Sequence, residues 1–390
     1  MGSELTLGQA LPVGPLKLAV LDGSKEFGQA VDQCLVNFRR TSPMCGTELS
    51  SQFPGYAKDS YLLDIKCSRF GTGEGKGQIN ESVRGCDLFI LADVTNYSLT
   101  YSIYGYENHM SPDNHYQDLK RVISAVNGKA KRITVIMPFL YEGRQHKRSM
   151  RESLDCALAL QELAGMGVTN FVTFDAHDPR VQNAIPLNDF NSFMPGYQFL
   201  QALTESVPDL QIDAEHMMSI SPDEGAMERA VYFANIMGIG MGMFYKRRDY
   251  SRIVNGRNPI VAHEFLGESV EGKDVLVIDD MISSGDSMLD VAKQLKARHA
   301  RRVFVCTTFG LFTNGLEAFD EAYEKGIISK VITTNLNYRP QELLERPWYA
   351  EANMIKYTAS IIDHLNHDVS TSEIISPTDK IRKLLDRLKG

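Results

Sequence analysis

Residues 274–288, DVLVIDDMISSGDSM, gather the groups best able to do chemistry in this chain. Two adjacent carboxylates, Asp279 and Asp280, end a short apolar run, Val275–Ile278. A small-residue turn follows: Ser283, Ser284, Gly285, Asp286 and Ser287. The run predicts a buried parallel strand, and the pattern from Met288 onward predicts a helix. A strand tip feeding a Ser/Gly turn and a helix N-terminus offers free backbone N–H groups and the positive end of the helix dipole, which is a site for a phosphate. The paired aspartates suit the hydroxyls of a sugar, or a metal ion held between sugar and pyrophosphate. Together the two halves point to a sugar phosphate rather than a nucleotide alone.

Other candidate groups fall at the C-terminal ends of predicted strands, where open α/β sheets bind ligands. FVTFDAHD (171–178) delivers Asp175 and His177, and SISPDEG (219–225) delivers Asp223 and Glu224 ahead of a helix. Such groups suit a magnesium–phosphate complex, directly or through water; a lone histidine is more often structural. Arg144, Gln145, His146, Lys147 and Arg148 follow the strand-like Ile133–Phe139, and a solvated basic loop is the plainer account of that cluster alone. Lys246, Arg247 and Arg248 follow Gly240–Tyr245 and open a polar segment to about Asn258. Three cations there are what a lid over transferring phosphates needs, because phosphoryl transfer is catalysed by positioning and by neutralising charge on oxygens; a charged surface loop is the alternative. The glycine run Gly71–Gly77 contains no GxxxxGK[ST] and does not sit between a strand and a helix, so neither a Walker nor a Rossmann loop fits. It is expected to be a turn, beside a ligand or purely structural. His109 and His115 are expected to be exposed loop residues.

The elements that must position these groups alternate along the chain. Strand-like runs occur at Leu16–Leu21, Asp87–Ala92, Ile133–Phe139, Phe171–Phe174, Met217–Ile220, Gly240–Tyr245, Val275–Ile278, Val303–Thr307, Val331–Thr334 and Met354–Tyr357. Helical patterns fit 25–39, 115–127, 150–165, 224–238, 286–299, 314–325 and 377–388. This is an α/β protein with mainly parallel sheets flanked by helices, and ten strands over 390 residues fit two domains better than one. The irregular stretch Ile185–Pro195 is the expected boundary, with an N-terminal domain at 1–185, a C-terminal domain at 186–372 and a last helix at 373–390. Segments 41–60 and 96–116 look like surface excursions.

A net charge of −8 argues against general nucleic-acid binding. No apolar run approaches a membrane span, and the N-terminus lacks a basic region followed by an apolar core. The six cysteines show no CxxC pair, as expected for reduced, mostly buried thiols in a cytoplasmic protein.

Eight segments, in order, give the chain a resemblance to the ribose-phosphate diphosphokinase (PRPP synthetase) family over nearly its whole length. The opening LKLAVL is similar to the family's start. FGTGEGKGQINESVRGCDLFI resembles its ATP-side loop, with Phe70, Gly73, Glu74, Arg84, Gly85 and Asp87 matching. KRITVIMPFLYEGRQHKR is similar to its strand and Tyr-x-x-Arg-Gln loop, FVTFDAHD to its Asp-Leu-His segment and SPDEG to its Ser-Pro-Asp-x-Gly. Lys246–Arg248 resembles its Lys-Arg-Arg lid, VLVIDDMISSGDS its ribose-phosphate loop and TFGLFT (308–313) the segment that follows.

The resemblance implies two phosphoribosyltransferase-like domains, Mg²⁺, and transfer of a diphosphoryl group from ATP to the 1-hydroxyl of ribose 5-phosphate, in a cytoplasmic homo-oligomer with no nucleic-acid or membrane partner. It implies that Phe70, Glu74, Arg144 and Gln145 hold ATP and that His177 and Asp223 bind Mg²⁺. Asp279, Asp280 and Ser283–Ser287 would hold ribose 5-phosphate, while Lys246 and Arg248 stabilise the transferring group. Departures stand at Thr72, His146, Ser283 and Asp286, in a longer lid and in the excursions at 41–60 and 96–116. The departures in the phosphate loop favour a second expectation, a non-catalytic regulatory homologue. A phosphoribosyltransferase that consumes PRPP is a third, against which the matching N-terminal half counts.

Overall fold

The computed structural model describes residues 10–42, 55–248, 260–375 and 377–389 with positions 7, 45, 46 and 53, the side chains of 246–248, 260–263, 373, 388 and 389 excepted. Backbone contacts divide the chain into two units. The first comprises Met1–Met194, Asn335–Tyr338 and Met354–Ser376; the second comprises Pro195–Thr334, Arg339–Asn353 and Pro377–Gly390.

The first unit carries strands β1 (Leu16–Val20), β2 (Ile65–Arg69), β3 (Gly75–Ile79), β4 (Asp87–Leu91), β5 (Thr100–Ile103), β6 (Tyr106–His109), β7 (Arg132–Ile136), β8 (Asn170–Phe174) and β9 (Asp189–Phe193). Five of them form an all-parallel sheet in the order β1-β4-β7-β8-β9. Every residue of β4 is buried, as a strand covered on both faces requires. Two antiparallel hairpins, β2–β3 and β5–β6, stand apart from this sheet. The helix Pro112–Val126 starts where Ser111 accepts a hydrogen bond from the Asn114 N–H and Pro112 takes a first-turn position, and it ends at Asn127 in the left-handed region. Its apolar face, Leu119, Val122, Ile123 and Val126, joins the core of this unit.

A buried polar node explains why residues far along the chain belong here. Asp87, fully buried, accepts hydrogen bonds from Arg132 Nε at 2.8 Å and Nη2 at 2.7 Å, and from Asn366 Nδ2 at 2.8 Å. The Asn366 side-chain Oδ1 in turn accepts from Arg39 Nη2 at 2.7 Å, and Arg39 Nε reaches Asp363 Oδ1 at 2.6 Å. The helix Ile355–Asn366 is thereby fixed to the first unit. The division thus differs from the expected 186–372 domain and falls at Met194/Pro195, inside the irregular stretch. Met354–Tyr357 opens this helix rather than forming a strand, which lies just before it, at Tyr349–Ala352.

The second unit holds β10 (Met217–Ser221), β11 (Gly240–Arg248), β12 (Ile260–Gly267), β13 (Asp274–Ile282), β14 (Arg302–Gly310), β15 (Lys330–Thr334) and β16 (Tyr349–Ala352). They form a seven-stranded sheet, β12-β11-β10-β13-β14-β15-β16, parallel except for β12. One face packs Val275, Val277 and Val305 against the helix Asp286–Ala297. The other packs Leu276, Ile278 and Phe304 against Gly196–Ser206 and Met227–Met237. From β10 the chain runs outward to β11, and from β13 it runs outward the other way to β14. The topological switch point therefore lies between β10 and β13.

All six cysteines are free, with Cys86, Cys156 and Cys306 buried and Cys45 exposed. Burial pushes the Cys67 and Cys156 thiols up to about 12. Among the described residues no helix is long and apolar enough to cross a membrane.

Replacing Asp87 by Ala leaves the Arg132 guanidinium and the Asn366 amide without their shared acceptor. The expected loss is about 3 kcal/mol, measured as a lower urea midpoint; a loss below about 0.5 kcal/mol would mean that the node behaves like a surface pair.

Candidate functional site

Ligands of open α/β sheets bind outside the carboxyl ends of the strands at a switch point, and the second unit places its acidic residues there. β13 keeps its register with β14 beyond the apolar run, through Asp279↔Thr307 to Ile282↔Gly310. Asp279 and Asp280 therefore stand within a hydrogen-bonded strand and not in a loop, and Asp280 is buried. The turn behind them is fixed from below. Leu311 N donates to Ile282 O and Thr313 N to Ser283 O, both at 2.9 Å, so the 308–313 segment clasps the turn. Gly285 has φ +92°, and a Cβ there would lie 2.4 Å from Phe319 Cε2. No residue other than glycine fits. Phe319 packs with Phe312 and Trp348 at centroid distances of 5.1 and 5.5 Å, an aromatic floor beneath the turn.

Gly285 caps the helix Asp286–Ala297 without a side-chain hydrogen bond, and the first-turn N–H groups of a helix have no intrahelical acceptor. The strand, turn and helix N-terminus expected from the sequence are therefore present, and such a helix start suits an anion. Asp286, exposed, turns its carboxylate onto the Ser284 hydroxyl at 2.9 Å.

Burial, the neighbouring Asp280 charge and, more weakly, Asp223 hold the Asp279 carboxyl well above the usual carboxylate range. Its Oδ1 accepts the Asp280 N–H at 2.9 Å. Asp223, just past β10, is set by an Asx turn in which its Oδ1 accepts Gly225 N at 2.9 Å and Ala226 N at 3.3 Å. The structure thus brings Asp223 into the electrostatic reach of Asp279. An acidic, oxygen-only set of this kind fits sugar hydroxyls or a hard divalent cation. Among the described residues no three His, Cys, Asp or Glu side chains converge as a metal cage; magnesium typically takes one or two carboxylates and completes its shell with phosphates and water.

In the first unit the structure joins two segments that the sequence presented separately. His146 Nε2 lies 3.3 Å from Asp178 Oδ2, and its ring is 5.4 Å from that of His177. The basic loop 144–148 therefore meets the tip of β8. Asp178 is held below the usual carboxylate range chiefly by its hydrogen bonds from Arg180, with His146 adding to it. Asp175, buried, turns the strand with φ +45°, and His177 beyond it is exposed. Arg144 is exposed, and Gln145 Nε2 donates to Ser153 O at 2.9 Å.

Phe70 and Glu74 close the β2–β3 hairpin, where Phe70 N donates to Glu74 O at 2.8 Å. Phe70 is 56% exposed, and the Glu74 carboxylate accepts the Thr72 hydroxyl at 2.9 Å. The glycine run is thus a hairpin turn and its return strand, and Gly77 faces the Arg121 backbone so closely that a Cβ would sit 2.8 Å from it. His177 belongs to the first unit and Asp223 to the second.

Other expectations need correction. His115 is not an exposed loop residue: it is buried on the helix Pro112–Val126, its Nε2 2.8 Å from Asn96 O, whereas His109 is exposed. The excursion at 96–116 is the β5–β6 hairpin leading into that helix, and residues 43, 44, 47–52 and 54 of the excursion at 41–60 lie outside the described residues. Lys246–Arg248 extend β11, which pairs with β12 and shifts register at Arg247/Arg248. The side chains of Lys246 and Arg248, and residues 249–259 of the expected lid, lie outside the described residues. Sequence reasoning missed the clasp by Leu311 and Thr313, and it missed β5–β6, whose Tyr-Gly turn lacks the asparagine or aspartate that usually marks a two-residue hairpin.

Comparison with known proteins covers both units. The N-terminal domain of ribose phosphate pyrophosphokinase matches residues 16–167, and the phosphoribosyl transferase domain matches residues 205–343. The ribose-phosphate pyrophosphokinase of Aquifex aeolicus is 27% identical over 292 residues, 74% of this chain and 83% of that protein. That of Vibrio parahaemolyticus is 27% identical over 320 residues, 81% of this chain and 92% of that protein. In fold, the chain is similar to the phosphoribosylpyrophosphate synthetase from Mycobacterium smegmatis, with a TM-score of 0.69 at 21% identity over 90% of this chain and 99% of that one.

The Asp279 environment yields a signed prediction. A carboxyl held above its usual range keeps its proton to higher pH in the folded state than in the unfolded one, so it removes stability as pH rises through that window. Asp279→Asn retains the Oδ1 acceptor and abolishes the charge. Its Tm at pH 7 should rise, by roughly 2–4 °C for each kcal/mol recovered, and the gain should vanish towards pH 4. A lower Tm at pH 7 would contradict this.

Proposed function

The chain belongs to the ribose-phosphate pyrophosphokinase family, and from that membership we propose that it transfers the diphosphoryl group of ATP to the 1-hydroxyl of ribose 5-phosphate, giving PRPP and AMP. The observation that carries this reading is the pairing, at one switch point, of a phosphate-binding turn with Asp279 and Asp280. The turn Ser283–Ser287 takes the 5-phosphate on its N–H groups. Asp279 and Asp280 accept hydrogen bonds from the ribose hydroxyls and orient the ring. Phe70, Glu74, Arg144 and Gln145 hold ATP, roles that rest on the family resemblance.

The 1-hydroxyl oxygen attacks the β-phosphorus and gives up its proton to solvent, the bond from that phosphorus to the α–β bridging oxygen breaks, and AMP leaves with that oxygen. This chemistry asks the protein for alignment and positive charge more than for covalent participation. Lys246 and Arg248 supply that charge. The family resemblance assigns Asp223 and His177 as the residues that would hold Mg²⁺, which when bound would neutralise charge on the diphosphoryl group. We place the enzyme in the cytoplasm as a homo-oligomer, which light scattering will test.

A regulatory, non-catalytic homologue is the second reading, favoured by Asp286, whose carboxylate already occupies the Ser284 hydroxyl. One assay separates them. ATP and ribose 5-phosphate with Mg²⁺ should give AMP and PRPP by mass spectrometry, and Lys246→Ala should lower the rate at least about 10²-fold with an unchanged Tm. Absence of AMP with every divalent metal tried, with and without inorganic phosphate, would overturn the enzyme reading.

A further inference from the structure

The β5–β6 hairpin lies against the turn that carries Phe70. Tyr104 N donates to Gly71 O at 2.9 Å, and Ile103 Cδ1 lies 3.0 Å from where a Cβ on Gly73 would stand. The two hairpin tips therefore form one surface. The mount is firm: Met110 N donates to Leu99 O at 2.8 Å, and His109 Nδ1 lies 2.8 Å from Tyr97 O. Arg69, at the end of β2, holds Asp118 with two hydrogen bonds of 2.8 and 2.7 Å and lies over the Tyr101 ring at 5.3 Å.

This surface presents exposed aromatic rings that the fold does not use. Phe70 is 56% exposed, and Tyr104 and Tyr106 are each 76% exposed. Single exposed apolar residues need no account, but a group of them on one surface does. Tyr104 is also a poor choice for its backbone. It has φ +48° and is followed by Gly105 at φ +84°, the two-residue turn in which asparagine or aspartate is strongly favoured before glycine. A bulky aromatic there accepts steric strain without gaining burial, so the stability of the hairpin does not explain it.

We propose that the β5–β6 hairpin is a second wall of the nucleobase site, with Tyr104 facing the base opposite Phe70 and selecting purine over pyrimidine nucleoside triphosphates. The inference rests on the proposed diphosphokinase reading for its assignment of Phe70 to ATP. Aromatic rings held on a rigid mount stack on a base in proportion to its area, and a purine offers two rings where a pyrimidine offers one. Tyr104 is thus a specificity-determining residue contributed by a segment outside the family-like motifs.

The test uses the full-length protein and Tyr104→Asn, which removes the ring and supplies the residue the turn prefers. Its Tm should be no lower than that of the wild type. The KM for ATP should rise about tenfold, the KM for ribose 5-phosphate should move less than twofold, and the preference for ATP over CTP in kcat/KM should fall. Tyr104→Phe should behave like the wild type. An ATP KM within twofold of the wild type, or an equal rise in both KM values, would overturn the proposal. Calorimetric titration of both proteins with Mg-ATP is the independent readout. If the wild type makes no AMP, the diphosphokinase reading fails, and the titration still decides on the wall: about tenfold weaker ATP binding by Tyr104→Asn sustains it, and equal affinity sinks it.

Discussion

The candidate site depends on one constraint: β13 stays hydrogen-bonded to β14 through Asp279 to Ile282. A buried central strand would normally carry apolar residues to its end. Here it carries two carboxylates into the sheet margin, and their mutual repulsion and burial hold Asp279 protonated above its usual range. Such an arrangement suits a cation, a sugar hydroxyl or both. The residues around it serve the same end, because Gly285 admits the Phe319 ring beneath the turn and the 308–313 segment clasps it from the side. Stability is given up locally there, a pattern common at functional sites.

Strain recurs at other strand ends. Asp175, Glu142 and Phe312 all adopt positive φ without being glycine, at 45°, 55° and 44°. Asp175 turns the chain so that His177 follows as an exposed residue at the tip of β8, and Phe312 places its ring on the aromatic floor. In each case a neighbouring contact holds the conformation: Asp175 N donates to Phe193 O at 3.0 Å, Gln145 N to Glu142 O at 2.8 Å, and Thr313 N to Ser283 O at 2.9 Å.

Much of this was legible in the sequence. The α/β class and nine of the ten strand-like runs correspond to strands, because continuous apolar runs between turn signals are what strands buried on both faces require. The turn at Ser283–Ser287 was legible because small residues between an apolar run and a helical pattern mark a strand-to-helix turn. Met354–Tyr357 misled because a short apolar run has no period: Met354 N is bonded to Asn335 Oδ1 at 2.8 Å and the run opens a helix. The domain division was hidden because Asp87 and Asn366 are 279 residues apart, and only a tertiary hydrogen bond joins them. His115 was expected in a loop although the helical pattern began at it, because the polar residues before it read as an excursion; the helix begins earlier, at Pro112, and buries it. The meeting of His146 with Asp178 and of Tyr104 with Gly71 are likewise contacts between segments, which spacing along one segment cannot reveal.

The central claim is that the ribose 1-hydroxyl oxygen attacks the β-phosphorus. ATP labelled with ³²P at its β-position alone tests it directly. The account predicts that the label passes into PRPP and that the AMP formed with it is unlabelled. Label that remains in ADP, or that appears as free phosphate or pyrophosphate without PRPP, would contradict it.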